Sequence, residues 1–278
     1  MIFFMGAAQA IGLGARPSTI EMSVEPGKTY RQNITIANLN YTRPLALTIG
    51  LADWEMQSNG DIKMSEPSSL ESSASSWLKY SPGSVTLKSR SNTALTVEIA
   101  VPAKLTSNKE HRAALIVSTL LPPENERMKE ANGVWRRYQL VILFYFSPID
   151  GKTKVTGTFE NVHADGERWV VEGKFKNEGD VHARLSGVIK MTDSAGKEWD
   201  NLVTEVVVTD SMNISKSMGG LLPKDLPEGK YKISSVWNNI FDPRTPSVMS
   251  VSPIKIEDVD FIYKKLPLKK IDKGEVIK

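Results

Sequence analysis

Residues 93–101 have the sequence TALTVEIAV, in which an apolar side chain recurs at every second position from Leu95 to Val101. This spacing places the apolar side chains on one face of an extended chain, so the stretch predicts a half-buried β-strand. Comparable short patterns occur before and after it, separated by turn-forming pairs such as Pro26-Gly27 and Asn59-Gly60. Repeated short strands with turns between them predict an all-β sandwich.

The last strand pattern of the first half differs from the others. Residues 138–146 are apolar at nearly every position, which is typical of a strand covered on both faces. The polar stretch 120–132 (LLPPENERMKEAN) precedes it and carries two adjacent prolines, which predict a long hairpin loop. The predicted strands of this half are 18–24, 30–37, 45–51, 93–101, 113–120 and 135–146.

The length of 278 residues suggests two domains, since a domain usually takes roughly 100–200 residues. The turn-rich segment PIDGK at 148–152 predicts the linker between them. The second half repeats the strand pattern and contains an Asp165-Gly166 hairpin signal. Its segment 226–231 (LPEGKY) favours a tyrosine corner, the alternative being an ordinary core tyrosine. We therefore predict two immunoglobulin-like β-sandwich domains in tandem, at 11–149 and 150–255.

The two ends of the chain are predicted to lie outside these domains. Residues 1–10 (MIFFMGAAQA) end in a small-x-small pattern after an apolar run but lack a basic start, which favours the remnant of a cleaved signal peptide over a disordered or buried N-terminus. This interpretation predicts a periplasmic or secreted protein. No later stretch has the ~18 apolar residues that stable membrane insertion requires. The lysine-rich segment 256–278 favours a solvated tail, with an edge strand or a membrane contact as alternatives.

Composition and motifs argue against several classes of function. The formal net charge is only +3 without a concentrated basic face, so no nucleic-acid partner is predicted. The chain has no cysteine, no glycine-rich phosphate loop and no G-x-S-x-G elbow. Its histidines, His111, His163 and His182, lack ligand spacing. His163 and His182 are predicted to be exposed at strand ends, and His111 is predicted to lie in a turn. We predict a protein that is not an enzyme and has no catalytic residues, no metal and no cofactor.

Several segments in order make the first half resemble the N-terminal domain of the periplasmic pilus-assembly chaperones, the PapD-like family. The resemblance covers about residues 18–148 and rests on Pro26-Gly27 with ITIAN at 34–38, ADW at 52–54, the stretch 77–82, the strand and loop 113–123, and the strand that ends at Pro148. It implies an immunoglobulin-like sandwich whose long last strand is lent to an incomplete, exported pilin-like subunit.

The resemblance also implies a binding site. The lent strand corresponds to residues 134–145, and the partner-binding residues it implies are Trp135, Arg137, Tyr138, Leu140, Ile142 and Phe144. The basic pair with which the family grips the C-terminal carboxylate of its subunit falls at Met22 and Ile142 here, so that pair is absent. Arg16, Arg136 and Arg137 are the basic residues that could replace it.

Three alternatives remain open at the level of sequence. The apolar last strand could instead be buried between its own sheet and the second domain. The chain could be a structural or adhesive surface protein in which the sandwiches act as spacers or subunits. Exposed aromatics such as Trp169, Trp199 and Trp237 could form a carbohydrate-binding face, although core packing explains them equally well. The sequence indicates neither the identity of the partner nor the oligomeric state.

Overall fold

The structure is a computed structural model that describes residues 12–120, 137–241 and 252–265. In this part of the chain the predicted all-β class is confirmed, and the strands form two immunoglobulin-like sandwiches in tandem. Residues 1–10, the predicted signal remnant, lie outside the described residues, as do Trp135 and Arg136. None of the described residues forms a helix with the length and apolar character needed to traverse a bilayer.

The first domain packs one sheet on another. Its strands are β1 (Leu13–Arg16), β2 (Thr19–Val24), β3 (Thr29–Asn38), β4 (Leu45–Met56), β5 (Ile62–Ser65), β6 (Leu78–Ser81), β7 (Ser84–Leu87), β8 (Ser91–Ala100), β9 (His111–Thr119) and β10 (Gln139–Pro148). One sheet has the order β1-β3-β8-β6, and the other has the order β2-β10-β9-β4-β5 with β7 also paired to β4. The alternate residues Leu95, Val97 and Ile99 of β8 are fully buried between the sheets, as their spacing predicts.

The second domain is built in the same way. Its strands are β11 (Val155–Asp165), β12 (Arg168–Asn177), β13 (Ala183–Asp193), β14 (Glu198–Val208), β15 (Met212–Met218), β16 (Gly229–Asn239), β17 (Ser252–Ile254) and β18 (Val259–Tyr263). One sheet has the order β11-β12-β15, and the other has the order β14-β13-β16-β17 with β18 also paired to β16. The connection between β10 and β11 contains the predicted boundary at 149/150, which we retain as a proposal for where the domains divide.

Two local predictions in this domain are confirmed. The strands β11 and β12 are joined at Gly166, whose φ of 57° is the left-handed conformation that an Asp-Gly turn provides. The hydroxyl of Tyr231 donates a hydrogen bond of 2.7 Å to the carbonyl oxygen of Pro227, and its ring is buried. This contact ties β16 to the turn that precedes it, as expected of a tyrosine corner.

The C-terminal segment differs from the predicted solvated tail. Residues 259–263 form the edge strand β18, which pairs antiparallel with residues 229–233 of β16 and places Phe261 opposite Tyr231. Phe261 and Ile256 are buried in the core of the second domain, and the burial of these side chains explains why the segment is held there. The second domain therefore extends beyond residue 255, the end predicted from sequence.

Candidate partner-binding edge and domain joint

The last strand of the first domain, β10, has partners of unequal length on its two sides. It pairs antiparallel with β9 from Gln139 to Phe146, but it pairs with β2 only from Leu143 to Pro148. The chain before β2 belongs to the opposite sheet, where β1 pairs with β3. Among the described residues no strand covers the second side of Gln139–Ile142, which we call the open edge.

The hydrogen bonds around β10 show which backbone groups face the open edge. The amide of Thr119 on β9 donates to the carbonyl oxygen of Tyr138, and the amide of Leu143 donates to Ser18 on the side of β2. Backbone groups alternate in direction along a strand, so the N–H and C=O of Gln139 and Val141 point away from β9. These are the groups that an added strand would use.

The predicted binding residues separate into distinct environments. Leu140 packs partly against the core, and Ile142 and Phe144 are fully buried in it. Phe144 also has strands on both sides, opposite Ile20 of β2 and Ala113 of β9, so an added strand cannot pair with it. Phe144 is therefore left out of the binding edge that is proposed below, because β2 already pairs at this position. Tyr138 is half-buried and Arg137 is exposed at the start of the strand.

The second half of β10 is covered by the second domain. For this half, the alternative raised from the sequence, that the strand is buried between its own sheet and the second domain, describes the structure. Tyr145 is buried on the outer face of its sheet in a cluster with Trp54 and Ala114. Its ring centroid lies 4.3 Å from that of His182, which belongs to the second domain. The strand thus changes from an open edge to a domain contact along its length.

A cleft between the domains begins where the open edge ends. It has a volume of about 450 Å³ and includes Leu143 from β10 and Thr19 from β2. The second domain contributes Arg184 and Lys216, and the turn between β4 and β5 closes the side near Gly60. Of the basic residues considered as replacements for the missing pair, Arg16 is exposed at the end of β1 and Arg137 is exposed before β10.

The joint between the domains is formed by buried charged groups. His182 and Glu110 are each 0% exposed, and Nδ1 of His182 lies 2.5 Å from Oε2 of Glu110. The same carboxylate oxygen accepts hydrogen bonds from the backbone amide of His182 and the hydroxyl of Ser147. On the other side of the ring, Nε2 lies 3.3 Å from Oε1 of Glu21, at ion-pair distance but without hydrogen-bond alignment.

The charges in this joint stabilise one another. Burial alone would lower the pKa of His182, but Glu110 and Glu21 outweigh it, and the pKa is raised above the ordinary 6.5. Burial would raise the pKa of Glu110, but His182 and Arg112 lower it overall. Burial would also raise the pKa of Glu21, but His182 and Arg184 have the larger effect and lower it to about 2. The distances and the directions of these three pKa shifts both describe a protonated His182 between two ionised carboxylates.

Two arginines add further links between the domains. Arg112 of β9 donates to Asp210 of the second domain at 2.7 Å, and both side chains are nearly buried. Arg184 of β13 donates to Glu21 of β2. Burial raises the pKa of Asp210 even though Arg112 is beside it. The first domain is therefore fixed to the second through β2, β9 and the residue before β9.

The predicted exposure of His182 is wrong, and His111 is the first residue of β9 rather than part of a turn. His111 is buried against the ring of Trp77, and burial lowers its pKa. His182 is buried in the domain joint, while His163 is half-buried on β11. Local turn signals gave no indication of this burial, because the groups that cover His182 come from distant parts of the sequence. Across 12–120, 137–241 and 252–265, no group of three or more acidic or histidine side chains is placed to hold a metal ion.

Comparison with known proteins gives structural likeness only. No family model matches the chain, and no curated protein matches it. Among solved structures it is similar to the chaperone–tip adhesin subunit complex CsuC–CsuE of Acinetobacter baumannii, at 15% identity over 88% of this chain and 99% of that chain, with a TM-score of 0.47. It is also similar to the E. coli chaperone DraB, at 15% identity over 89% and 96% of the two chains, with a TM-score of 0.44.

A third similar structure is that of the Salmonella enterica SafB chaperone with the SafA pilin, at 12% identity over 92% and 99% of the two chains, with a TM-score of 0.44. These structural neighbours are PapD-like pilus chaperones, the family that the sequence resembles. Because these sequence identities and TM-scores are low, the fold assignment rests on the strand order of this chain itself.

Proposed function

We propose that this chain is a periplasmic, non-enzymatic, chaperone-like protein that binds an exported, strand-deficient subunit through the open edge of β10. The observation that carries the proposal is the one-sided pairing of Gln139–Ile142, where the groups of Gln139 and Val141 face away from β9. Exposed main-chain donors and acceptors of this kind are what β-strand addition uses.

The surroundings of the edge favour an added strand that runs parallel to β10. Such a strand would continue the row of β2, which is itself parallel to β10, and it would end at the interdomain cleft beside Thr19. Leu140 and Tyr138 would contact it on the core side. The partner-binding side chains proposed for the described residues are therefore Arg137, Tyr138 and Leu140, together with the main chain of Gln139 and Val141. Ile142 is buried in the core, and Trp135 lies outside the described residues.

The test compares two substitutions at one exposed position. Gln139→Pro removes the N–H that faces the open edge and places a ring there, while the bonds to β9 come from Tyr138 and Leu140. Gln139→Ala removes the same side chain and keeps the N–H. We expect the proline variant to bind a partner at least about tenfold more weakly, or about 1.4 kcal/mol, and the alanine variant to bind like the wild type.

The partner is first identified by pull-down of tagged residues 11–278 from the envelope of the native host. The affinity of this partner for the wild type, Gln139→Pro and Gln139→Ala is then measured by calorimetry, after circular dichroism has confirmed that each of the three proteins is folded. If both variants bind as tightly as the wild type, or if no exported β-rich protein is retrieved, strand addition at this edge is refuted.

A further inference from the structure

The domain joint contains a titratable group that the proposed binding edge does not use. The imidazole of His182 lies between the rings of Tyr145 and Phe241, with centroid distances of 4.3 and 3.9 Å. Each ring nitrogen faces a carboxylate of the first domain, Glu110 on one side and Glu21 on the other. One side chain of the second domain thus bridges two separate elements of the first.

The chemistry of imidazole makes this bridge depend on a proton. Only the imidazolium carries a hydrogen on both nitrogens, so only the charged form can donate to Glu110 and also place a positively charged N–H at ion-pair distance from Glu21. A neutral ring would direct a lone pair at either Glu110 or Glu21. It would also leave two carboxylates on either side of the ring without the positive charge between them, which is costly for buried groups.

The surrounding charges come from every element packed around the ring. They are Glu21 on β2, Glu110 just before β9, Arg112 on β9, Tyr145 on β10, Arg184 on β13 and Asp210 after β14. Arg112 and Arg184 each pair with a carboxylate and keep their charge throughout the accessible pH range. Burial raises the pKa of Tyr145, which stays neutral. His182 is therefore the group in the joint whose charge changes as the pH rises through its raised pKa.

We propose that His182 is a proton-operated lock between the two domains, holding them in one orientation when protonated and releasing that restraint when neutral. The inference does not depend on what the open edge binds. Both domains line the cleft beside that edge, so its shape varies when the domains change their orientation. The lock would therefore also limit how much the cleft changes shape.

The direction of the pH effect follows from the pKa shifts. The pKa of His182 is raised by folding, so its contribution to the joint is complete below pH 6.5 and is lost as the pH rises through the elevated value. The pKa values of Glu110 and Glu21 are lowered, so their contributions are complete above pH 4.5 and are lost as the pH falls below it. The joint is therefore most stable between these values.

The first test uses the unmodified protein. The chain contains three histidines, so their imidazole signals can be assigned and titrated by nuclear magnetic resonance. We expect His182 to titrate above 6.5 and to carry protons on both nitrogens below its pKa, whereas His111 should titrate below 6.5. A pKa for His182 at or below 6.5 would overturn the proposal.

The second test measures the orientation of the domains. The chain has no cysteine, so Ala94→Cys on β8 and Val236→Cys on β16 place spin labels at exposed sites in the two domains. We expect a narrow label-to-label distance distribution at pH 5.5 and one at least twice as wide one unit above the measured pKa of His182. In a His182→Gln background the distribution should be wide at both pH values. Equal widths in the wild type, or the same pH response in the variant, would overturn the proposal.

Discussion

At the scale of the residue, Tyr231 shows how one hydroxyl fixes a strand. Its bond of 2.7 Å to Pro227 is made by a nearly buried side chain, so Tyr231→Phe leaves a carbonyl without its partner. We expect a loss of about 1 kcal/mol in the free energy of unfolding of the second domain. Urea denaturation measures this change in the free energy of unfolding. Tyr41→Phe is the control, because that ring is 73% exposed and the change should fall within about 0.5 kcal/mol.

At the scale of the element, the edge strand β18 provides a matched pair of neighbours. Phe261 is 1% exposed and Ile262 is 61% exposed. Phe261→Ala should destabilise the second domain by about 3 kcal/mol, the loss expected when a large core side chain is truncated. Ile262→Ala should have little effect. Thermal unfolding by calorimetry distinguishes them, and similar losses for both would show that β18 is not packed as described.

The elements also show what the sequence could predict. An alternation of apolar residues is a local signal, and it located β3, β8 and β9 to within two residues of their ends. Local composition favoured a solvated tail over the alternative of an edge strand, because the short apolar stretch 259–263 is followed by lysines. The burial of Phe261 and Ile256, which holds β18 in place, depends on residues that are distant in the sequence. His182 could not be assigned to a joint, because Glu21 and Glu110 approach it only after both domains have folded. The open edge was predictable only through the family resemblance.

At the scale of the whole molecule, the contacts between the domains should make stability depend on acid. Glu21 has a pKa of about 2 in the folded protein against an ordinary 4.5, which corresponds to roughly 3 kcal/mol. This stability is present above pH 4.5 and is lost as the pH falls toward 2. We expect Glu21→Gln to lower the free energy of unfolding at pH 6 and to have almost no effect at pH 2, measured by urea denaturation.

Glu178 is the control for that prediction. Hydrogen bonds and ion pairs with Lys176 and Lys154 lower its pKa to about 2 as well, but its side chain is exposed. Because salt screens exposed ion pairs, Glu178→Gln should have little effect at 0.5 M NaCl, whereas the effect of Glu21→Gln should persist. If the two variants respond to salt in the same way, the joint is not shielded from solvent.

The parallel pairing of β2 with β10 has a consequence for how the first domain is made. The two strands are about 120 residues apart in the sequence, so the earlier one has no strand to pair with until the later one has left the ribosome. Until then the apolar residues of β2 remain in contact with water, and β9, although it can pair with β4, lacks its second partner. Such exposed apolar strands are prone to aggregate. The first domain should therefore complete its folding only after residue 148 has emerged, in one late and slow step.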